Sequence, residues 1–411
     1  MHVVVVGGGF AGLAAAQGLA GQPVQVTVVD RRNHHLFQPL LYQVATAGLA
    51  PSDIAEPIRA ILSHAPNIAV RLAEVVGIDL ESRRIRLDDG VVLPYDRLVL
   101  AAGVQHAYFG HPEWEAVAPG LKTVADALDM RRRMLLAFEH AEWCNDEVER
   151  AAFMTFVLVG AGPTGVELAG AIQEIALWTL RRDFRRIDPR TARVVLIEAG
   201  PSVLPSMDPR LQEAALRQLS RMGIEVRLGA RVTEVDARGV TIGGGERVAS
   251  RTVFWAAGVA ASPLGAALGA ALDRSGRVLV TGDLSVEGHR EVFVAGDLAS
   301  VEGVPGVAAA AGQMGRLVAA NVLADLKGRP RSPFRYLDKG QLATIGRYRA
   351  VGQVGPLRLS GPIAWLLWVS VHLWFLVGFR NRLLVFTKWA VAWVSWERSS
   401  RLIWGREGGS R

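Results

Sequence analysis

Two short glycine motifs carry most of the chemistry legible in this chain. Gly7, Gly9 and Gly12 fit the pattern GxGxxG, and so do Gly160, Gly162 and Gly165. Each motif follows a short apolar run, 3–6 or 156–159, and opens an Ala-rich stretch of helical character. In that setting the first glycine permits a tight turn, the second lets the backbone approach a pyrophosphate, and the third lets the helix lie close to the strand. The helix N-terminus then presents free N–H groups and a partial positive charge to the phosphates. An acidic residue closing the next strand would take the ribose diol, and Asp30 and Glu198 stand at those places. Two fingerprints imply two dinucleotides. At the second, the Glu198 carboxylate suits a 2′-hydroxyl and repels a 2′-phosphate. Ala199, Gly200 and Pro201 follow it, so no arginine is at hand to hold that phosphate. The second nucleotide is therefore expected to be NAD(H).

The elements that must position these motifs occur twice. Residues 2–103 and 155–258 repeat one plan: strand, glycine turn, helix, strand, and a later buried strand ending at a glycine, Gly103 in one copy and Gly258 in the other. A further strand, 292–295, ends at Gly296 and Asp297 and leads into a long Ala-rich helix over 307–326. The expected fold is α/β, with two Rossmann-like dinucleotide-binding domains and a C-terminal region of different composition.

Other chemistries are disfavoured. Cys144 is the single cysteine, which excludes an internal disulfide or a redox pair and with it the flavoprotein disulfide reductases. Without a second thiol a sulfide-oxidising flavoenzyme is also disfavoured, and Cys144 itself reads as inert. His34 and His35 are adjacent but have no companion cluster of ligands, so they read as packing residues and no metal is expected. The net charge of +7 rests almost wholly on arginine and reads as composition bias; no nucleic-acid partner is expected. His2 onward reads as a strand with no charged region before an apolar segment, so no signal peptide is expected and the catalytic part is placed in the cytoplasm.

With Asp297 closing a late strand beside the two fingerprints, the chain resembles the two-dinucleotide-binding-domain flavoproteins. Within them it is similar to the type II NADH dehydrogenases, single-chain NADH:quinone oxidoreductases that pump no protons. The resemblance covers almost the whole chain. Its most specific stretch is NHHLFQPLLYQVAT at 33–46. It extends to GPTGVELAG at 162–170, WAAGV at 255–259, DKGQLATIGR at 338–347 and the tail 372–382. It implies that Gly7, Gly9, Gly12, Asp30, Gly296 and Asp297 hold FAD, and that Gly160, Gly162, Gly165 and Glu198 hold NADH. Further cofactor contacts carry over to Arg31, Gln43, Thr46, Gly103, Glu167 and Gly258. The implied domains are an FAD-binding domain of 1–112 and 258–332, an NAD(H)-binding domain of 113–257, and a membrane-anchoring region of 333–411. The family's quinone-side motif AQxAxQ matches 308–313, where Gln313 keeps the second glutamine and Ala309 replaces the first. Gln313 is the candidate quinone residue, against a plain helix-surface reading. Lys339 is a candidate for stabilising anionic flavin or quinol, against a plain surface lysine.

The tail differs from the rest. Residues 362–379 form an eighteen-residue apolar stretch broken only by Ser370 and His372, and 383–396 form a second one containing Lys388. Trp365, Trp368, Trp374, Trp389, Trp393, Trp396 and Trp404 lie here, seven of eleven tryptophans, a bias expected of a membrane–water boundary with Arg380 and Arg382 at head groups. Three arrangements stay open for the segment 362–404: amphipathic helices in one leaflet, a spanning first helix, or a homodimer interface. The first suits an enzyme at the cytoplasmic face of the cell membrane that meets aqueous NADH and draws its quinone from the bilayer. Cutting after about Ser360 is then expected to release the protein from vesicles. Two other functions fit the same motifs, a flavin reductase serving a small redox protein and a non-catalytic NAD(H) sensor.

Overall fold

The computed structural model describes residues 1–376, 378–395 and 400–403, with backbone alone at 379, 380, 394 and 395. Trp396 and Trp404 lie outside the described residues, as does the side chain of Arg380. The chain divides into two compact units: Met1–Leu36, Ala55–Gln105 and Val259–Lys339 form one, and Phe37–Ile54, His106–Gly258 and Gly340–Arg411 form the other.

The first unit is built on a six-stranded sheet in the order Ser285–Val286, His289–Val294, Arg97–Leu100, His2–Val6, Gln25–Asp30, Ile68–Leu72. All neighbours are parallel except the first pair. Val3 to Val5 are wholly buried, because a central parallel strand has both faces covered. The helix Phe10–Gly18 packs against the long helix Ala308–Leu326 across small residues: a Cβ on Gly18 would lie 2.7 Å from the Ala319 methyl, and one on Gly315 would lie 2.1 Å from the Ala11 carbonyl.

The second unit repeats the plan in a four-stranded parallel sheet, Glu225–Arg227, Arg193–Ile197, Thr155–Val159, Thr252–Trp255. The two-copy reading of the sequence holds down to register. Val6 pairs with Val29 and Leu100 in one sheet; Val159 pairs with Ile197 and Trp255 in the other. The same unit carries an antiparallel sheet of Gln341–Gly346, Arg349–Val354 and Leu357–Ser360. A Cβ on Gly170 would lie 1.6 Å from the Ile345 carbonyl oxygen, so the helix Pro163–Glu174 approaches this sheet backbone to backbone.

The tail folds onto that unit as two helices, Pro362–Phe375 and Phe379–Ser395. The first buries Ala364, Trp365, Trp368 and Val369 and leaves Ile363, Leu366, Trp374 and Phe375 exposed. At about 1.5 Å per residue its fourteen residues reach about 21 Å, short of a hydrocarbon core of about 30 Å. Among the described residues no helix is long and apolar enough to cross a membrane, so the spanning arrangement finds no support.

Candidate functional site: two dinucleotide cradles and an aromatic cavity

The two fingerprints fold into the same object. Gly7 and Gly160 both turn at φ +102°, in the left-handed region that favours glycine, and a Cβ would meet the Ala101 carbonyl oxygen at 2.4 Å or the Ala256 carbonyl carbon at 2.7 Å. Gly12 and Gly165 sit where a Cβ would lie 1.8 Å from the carbonyl oxygen of Gly7 or Gly160. Gly9 and Gly162 are the opposite case: nothing stands within 4 Å of a Cβ there, so space is open in front of each helix N-terminus. Neither helix has a side-chain cap or an acidic residue in its first turn. The helix Val124–Trp143 shows the contrast, with a full capping box between Thr123 and Asp126. The fingerprint helices therefore keep their first N–H groups for a ligand, and both cradles fit a pyrophosphate.

Asp30 and Glu198 occupy equivalent places. Asp30 Oδ2 accepts from the Gly8 N–H at 2.6 Å and Oδ1 from the Arg32 N–H at 2.7 Å. Glu198 Oε2 accepts from the Ala161 N–H and Oε1 from the Gly200 N–H, both at 2.7 Å. Each carboxylate is oriented by two backbone bonds and keeps acceptor capacity for a ribose diol. His35, read as a packing residue, supports the first cradle: it is buried, its Nδ1 lies 2.9 Å from the Gly8 carbonyl oxygen, and its ring stands edge-on to Phe10. Burial holds its imidazole below the ordinary histidine range, so it is neutral and Nδ1–H donates to that carbonyl.

The remaining sequence-derived residues are scattered more widely. Arg31 lies on the surface, 3.4 Å from Glu74. Gly103 and Gly258 both take positive φ at strand ends, and a Cβ on Gly258 would strike Phe109 at 2.5 Å. Gly296, at φ +76°, donates its N–H toward the Met314 sulfur at 3.2 Å, and Asp297 follows in a short 3-10 turn. Gln313 spends both amide atoms on Leu337: Nε2 donates to the Leu337 carbonyl at 3.0 Å, and Oε1 accepts from the Leu337 N–H at 2.9 Å. That clamp ties the chain after 330 to the long helix. Lys339 is exposed. Cys144 donates weakly to the Asp146 carbonyl at 3.4 Å.

Gln43, Thr46 and Glu167 belong to the second unit. Thr46 is buried, with Oγ1 donating to the Tyr42 carbonyl at 2.8 Å. Gln43 accepts from the Trp389 indole N–H at 2.7 Å and donates to the Tyr42 hydroxyl at 2.9 Å. Gln43 and Glu167 line a cavity of about 110 Å³ whose wall is largely aromatic, with Tyr42, Trp365, Trp368, Trp389 and Trp393 around it and Thr344, Glu174 and Arg347 as further polar groups. Burial pushes the Glu167 carboxyl up to about 8, against the opposing pull of the Thr344 backbone N–H and the Trp368 indole. That indole nitrogen is buried and makes no hydrogen bond of good geometry, although it leans on Glu167 closely enough to favour the carboxylate. The segments 33–46, 162–170 and 338–347 and the tail, far apart in sequence, meet at this cavity.

Four of the tail tryptophans pack on one another. Trp365 and Trp393 stand 4.7 Å apart, Trp368 and Trp389 5.6 Å, and Trp389 and Trp393 6.2 Å. They form an internal aromatic wall. Of the tail tryptophans among the described residues only Trp374 is largely exposed. The spacings i,i+3 for Trp365 and Trp368 and i,i+4 for Trp389 and Trp393 put each pair on one helix face, a signal already present in the sequence.

Comparison with known proteins agrees with this geometry. Residues 1–315 match the family described as pyridine nucleotide-disulphide oxidoreductase, and residues 339–395 match the NDH2 C-terminal domain. The chain is 47% identical to the type II NADH:quinone oxidoreductase NdhA of Mycobacterium tuberculosis, over 98% of this chain and 89% of that protein. It is 44% identical to the type II NADH:quinone oxidoreductase Ndh of the same organism, over 100% of this chain and 92% of that protein. The fold matches that of NDH2 from Plasmodium falciparum in complex with NADH at a TM-score of 0.89 and 18% identity, covering 98% of this chain and 99% of that one. The chain belongs to the type II NADH:quinone oxidoreductases.

Proposed function

We propose that this protein oxidises NADH through bound FAD and reduces a quinone drawn from a membrane surface. The observation that carries the reading is the pair of equivalent cradles in one chain, together with a separate aromatic cavity walled by the tail. Gly7, Gly9, Gly12 and Asp30 would hold the ADP half of FAD, with Gly296 and Asp297 at its ribityl chain and Arg31, Gly103, Gln43 and Thr46 as further contacts. Gly160, Gly162, Gly165 and Glu198 would hold NADH, with Gly258 at the end of the neighbouring strand. Bound FAD supplies a two-electron acceptor for hydride and a donor to quinone, so the chain itself needs no acid–base triad.

The chain's own residues position and protonate. The tryptophan wall can stack a planar ring. The Glu167 carboxyl, protonated near neutral pH, can donate a hydrogen bond to a quinone carbonyl oxygen. Glu167, carried over from the family stretch as a cofactor contact, would on this reading serve the quinone instead. Gln313 and Lys339 stay as candidates; Gln313 would act by clamping the backbone at Leu337 unless that bond opens. The exposed aliphatic and aromatic groups of the tail, Ile363, Leu366, Trp374 and Phe386 among them, would rest in one leaflet at the cytoplasmic face. Burial of this face in a homodimer is the competing arrangement, and it would leave the protein in solution when vesicles are added.

The test is a comparison of half-reactions. NADH should bleach the flavin spectrum and NADPH should do so poorly; a short-chain quinone should restore it. Trp368→Ala should raise the quinone KM by roughly two- to tenfold, from the loss of stacking worth roughly 0.5–1.5 kcal/mol, and leave flavin reduction by NADH unchanged. Equal quinone kinetics in this variant would remove the cavity as the quinone site.

A further inference from the structure

Residues 180–190 carry Arg181, Arg182, Arg185, Arg186 and Arg190, all exposed. The loop follows a turn of π-helix, Ile175–Thr179, on the unit that also carries the tail. Its backbone is tied at one carboxylate. Glu142, a buried carboxylate near the end of the helix Val124–Trp143, accepts the Arg185 N–H at 2.9 Å and the Arg186 and Ile187 N–H groups at 3.0 Å. Burial opposes ionisation of Glu142, and these N–H bonds more than offset it. Arg185 also donates to the Arg182 carbonyl at 2.8 Å, which tightens the loop further.

The charges divide cleanly. Arg190 is paired with Asp188 at 2.7 Å, and Asp183 is paired with Arg401 of the tail. Arg181, Arg182, Arg185 and Arg186 form no ion pair among the described residues. Arg186 donates to the Asn145 side chain at 2.9 Å and lies over the Trp143 ring at 5.1 Å. Trp143 is 72% exposed and Trp178 42%. Four exposed guanidinium groups, of which only Arg186 feels the Glu142 carboxylate, together with the exposed indoles of Trp143 and Trp178, match the composition of a headgroup-level membrane contact.

The loop is continuous with the lipid-facing tail. The Asp183–Arg401 pair ties it to the tail and brings the exposed Leu402 and Ile403 alongside.

We propose that loop 180–190 is a second membrane contact, selective for anionic phospholipid headgroups, made by Arg181, Arg182, Arg185 and Arg186 with Trp143 and Trp178 at the headgroup level. The inference rests on the tail being lipid-facing and adds a separate element with a separate chemistry. The tail supplies apolar burial that is indifferent to headgroup charge; the loop supplies a preference for negative lipid that salt screens.

The experiment uses the full-length holoprotein and vesicles of phosphatidylcholine alone or mixed with phosphatidylglycerol. The parent should bind the anionic vesicles more tightly, and added salt should remove the difference. Replacing Arg181, Arg182, Arg185 and Arg186 by Ser keeps the backbone bonds to Glu142. This variant should lose roughly tenfold or more in affinity for anionic vesicles, with binding to phosphatidylcholine unchanged and NADH oxidation in detergent unchanged. Lys at the same four positions should restore the preference, because charge alone is read. Parent-like binding of the Ser variant to anionic vesicles overturns the proposal, and so does a Lys variant that behaves like the Ser variant. A duplex oligonucleotide that binds the parent and not the Ser variant, with vesicle binding equal in both, overturns the lipid assignment in favour of nucleic acid. Failure of the tail reading appears elsewhere, as phosphatidylcholine binding that survives removal of the tail's exposed apolar groups.

Discussion

At the scale of single residues, the two classes of fingerprint glycine make opposite predictions. A Cβ on Gly162 meets nothing in the protein and fills the space where a pyrophosphate would lie. Gly162→Ala should therefore keep or slightly raise stability, by up to about 1 kcal/mol through a less flexible unfolded chain, while NADH affinity falls at least tenfold in titration of the flavin spectrum. Gly165→Ala puts a methyl 1.8 Å from the Gly160 oxygen and should damage the fold itself, with thermal unfolding moving down. Loss of stability in the first variant, or none in the second, would refute the cradle geometry.

Glu167 makes a prediction about pH. Its folded-state carboxyl titrates near 8, above the ordinary glutamate range, so the native state holds the proton where the unfolded chain has released it. Stability is then unaffected below about pH 4.5, falls as pH rises from there through about 8, and levels off above. Glu167→Gln keeps the shape without the proton, so its denaturation midpoint should lose that downward slope. His372 contributes with the opposite sign: burial lowers its imidazole to about 4, so stability falls as pH drops from about 6.5 toward 4. Measuring midpoints between pH 6.5 and 9 isolates Glu167.

At the scale of elements, one ion pair fastens the second tail helix. Lys388 Nζ contacts both oxygens of Asp53, at 2.8 and 2.6 Å, and Asp53 is 3% exposed and also accepts from the Ala50 N–H at 2.7 Å. The Trp389 indole bonded to Gln43 is the next residue along. Lys388→Ala leaves a buried carboxylate without its counter-ion and should cost about 2–4 kcal/mol in denaturant unfolding, toward the low end because Lys388 is a third exposed. Replacing both partners by apolar residues should recover most of it. If the single variant cost as little as an exposed surface pair, the helix would be held by its tryptophans alone.

At the scale of the molecule, the tail has two faces, and the proposed function gives each its own task. One face closes the cavity with Trp365, Trp368 and Trp389; the other exposes Leu366, Trp374, Leu383, Phe386 and Val391. Cutting after Ser360 would remove both, stripping the sheet Gln341–Gly346, Arg349–Val354 and Leu357–Ser360 of its cover. Replacing Leu366, Trp374 and Phe386 by Ser separates the tasks. This variant should remain in the supernatant when phosphatidylcholine vesicles are sedimented and keep its rate with a water-soluble quinone in detergent. Continued vesicle binding would show that these residues are not the anchor.

The sequence alone determined whatever depends on local backbone geometry. GxGxxG between a strand and a helix admits few conformations, so both glycine turns, the carboxylates Asp30 and Glu198 after the next strands, and the repeated plan were legible from spacing. The signature stretches identified the family for the same reason: they are contiguous. Only the tertiary structure decided what side chains far apart in sequence do together. Composition placed the tail tryptophans at a membrane boundary; the structure turns Trp365, Trp368, Trp389 and Trp393 toward one another, with Tyr348 and Gln43 against them, because large aromatic rings bury much area against each other. Glu167 read as part of a nucleotide motif, but the helix turns it toward Thr344 and Trp368, where burial sets its proton. Gln313 was a quinone candidate from its motif alone; the fold adds a clamp from its amide to the returning chain at Leu337. A one-dimensional pattern shows which residues share a helix face but not which distant segment will cover it, and that choice assigned these residues their surroundings.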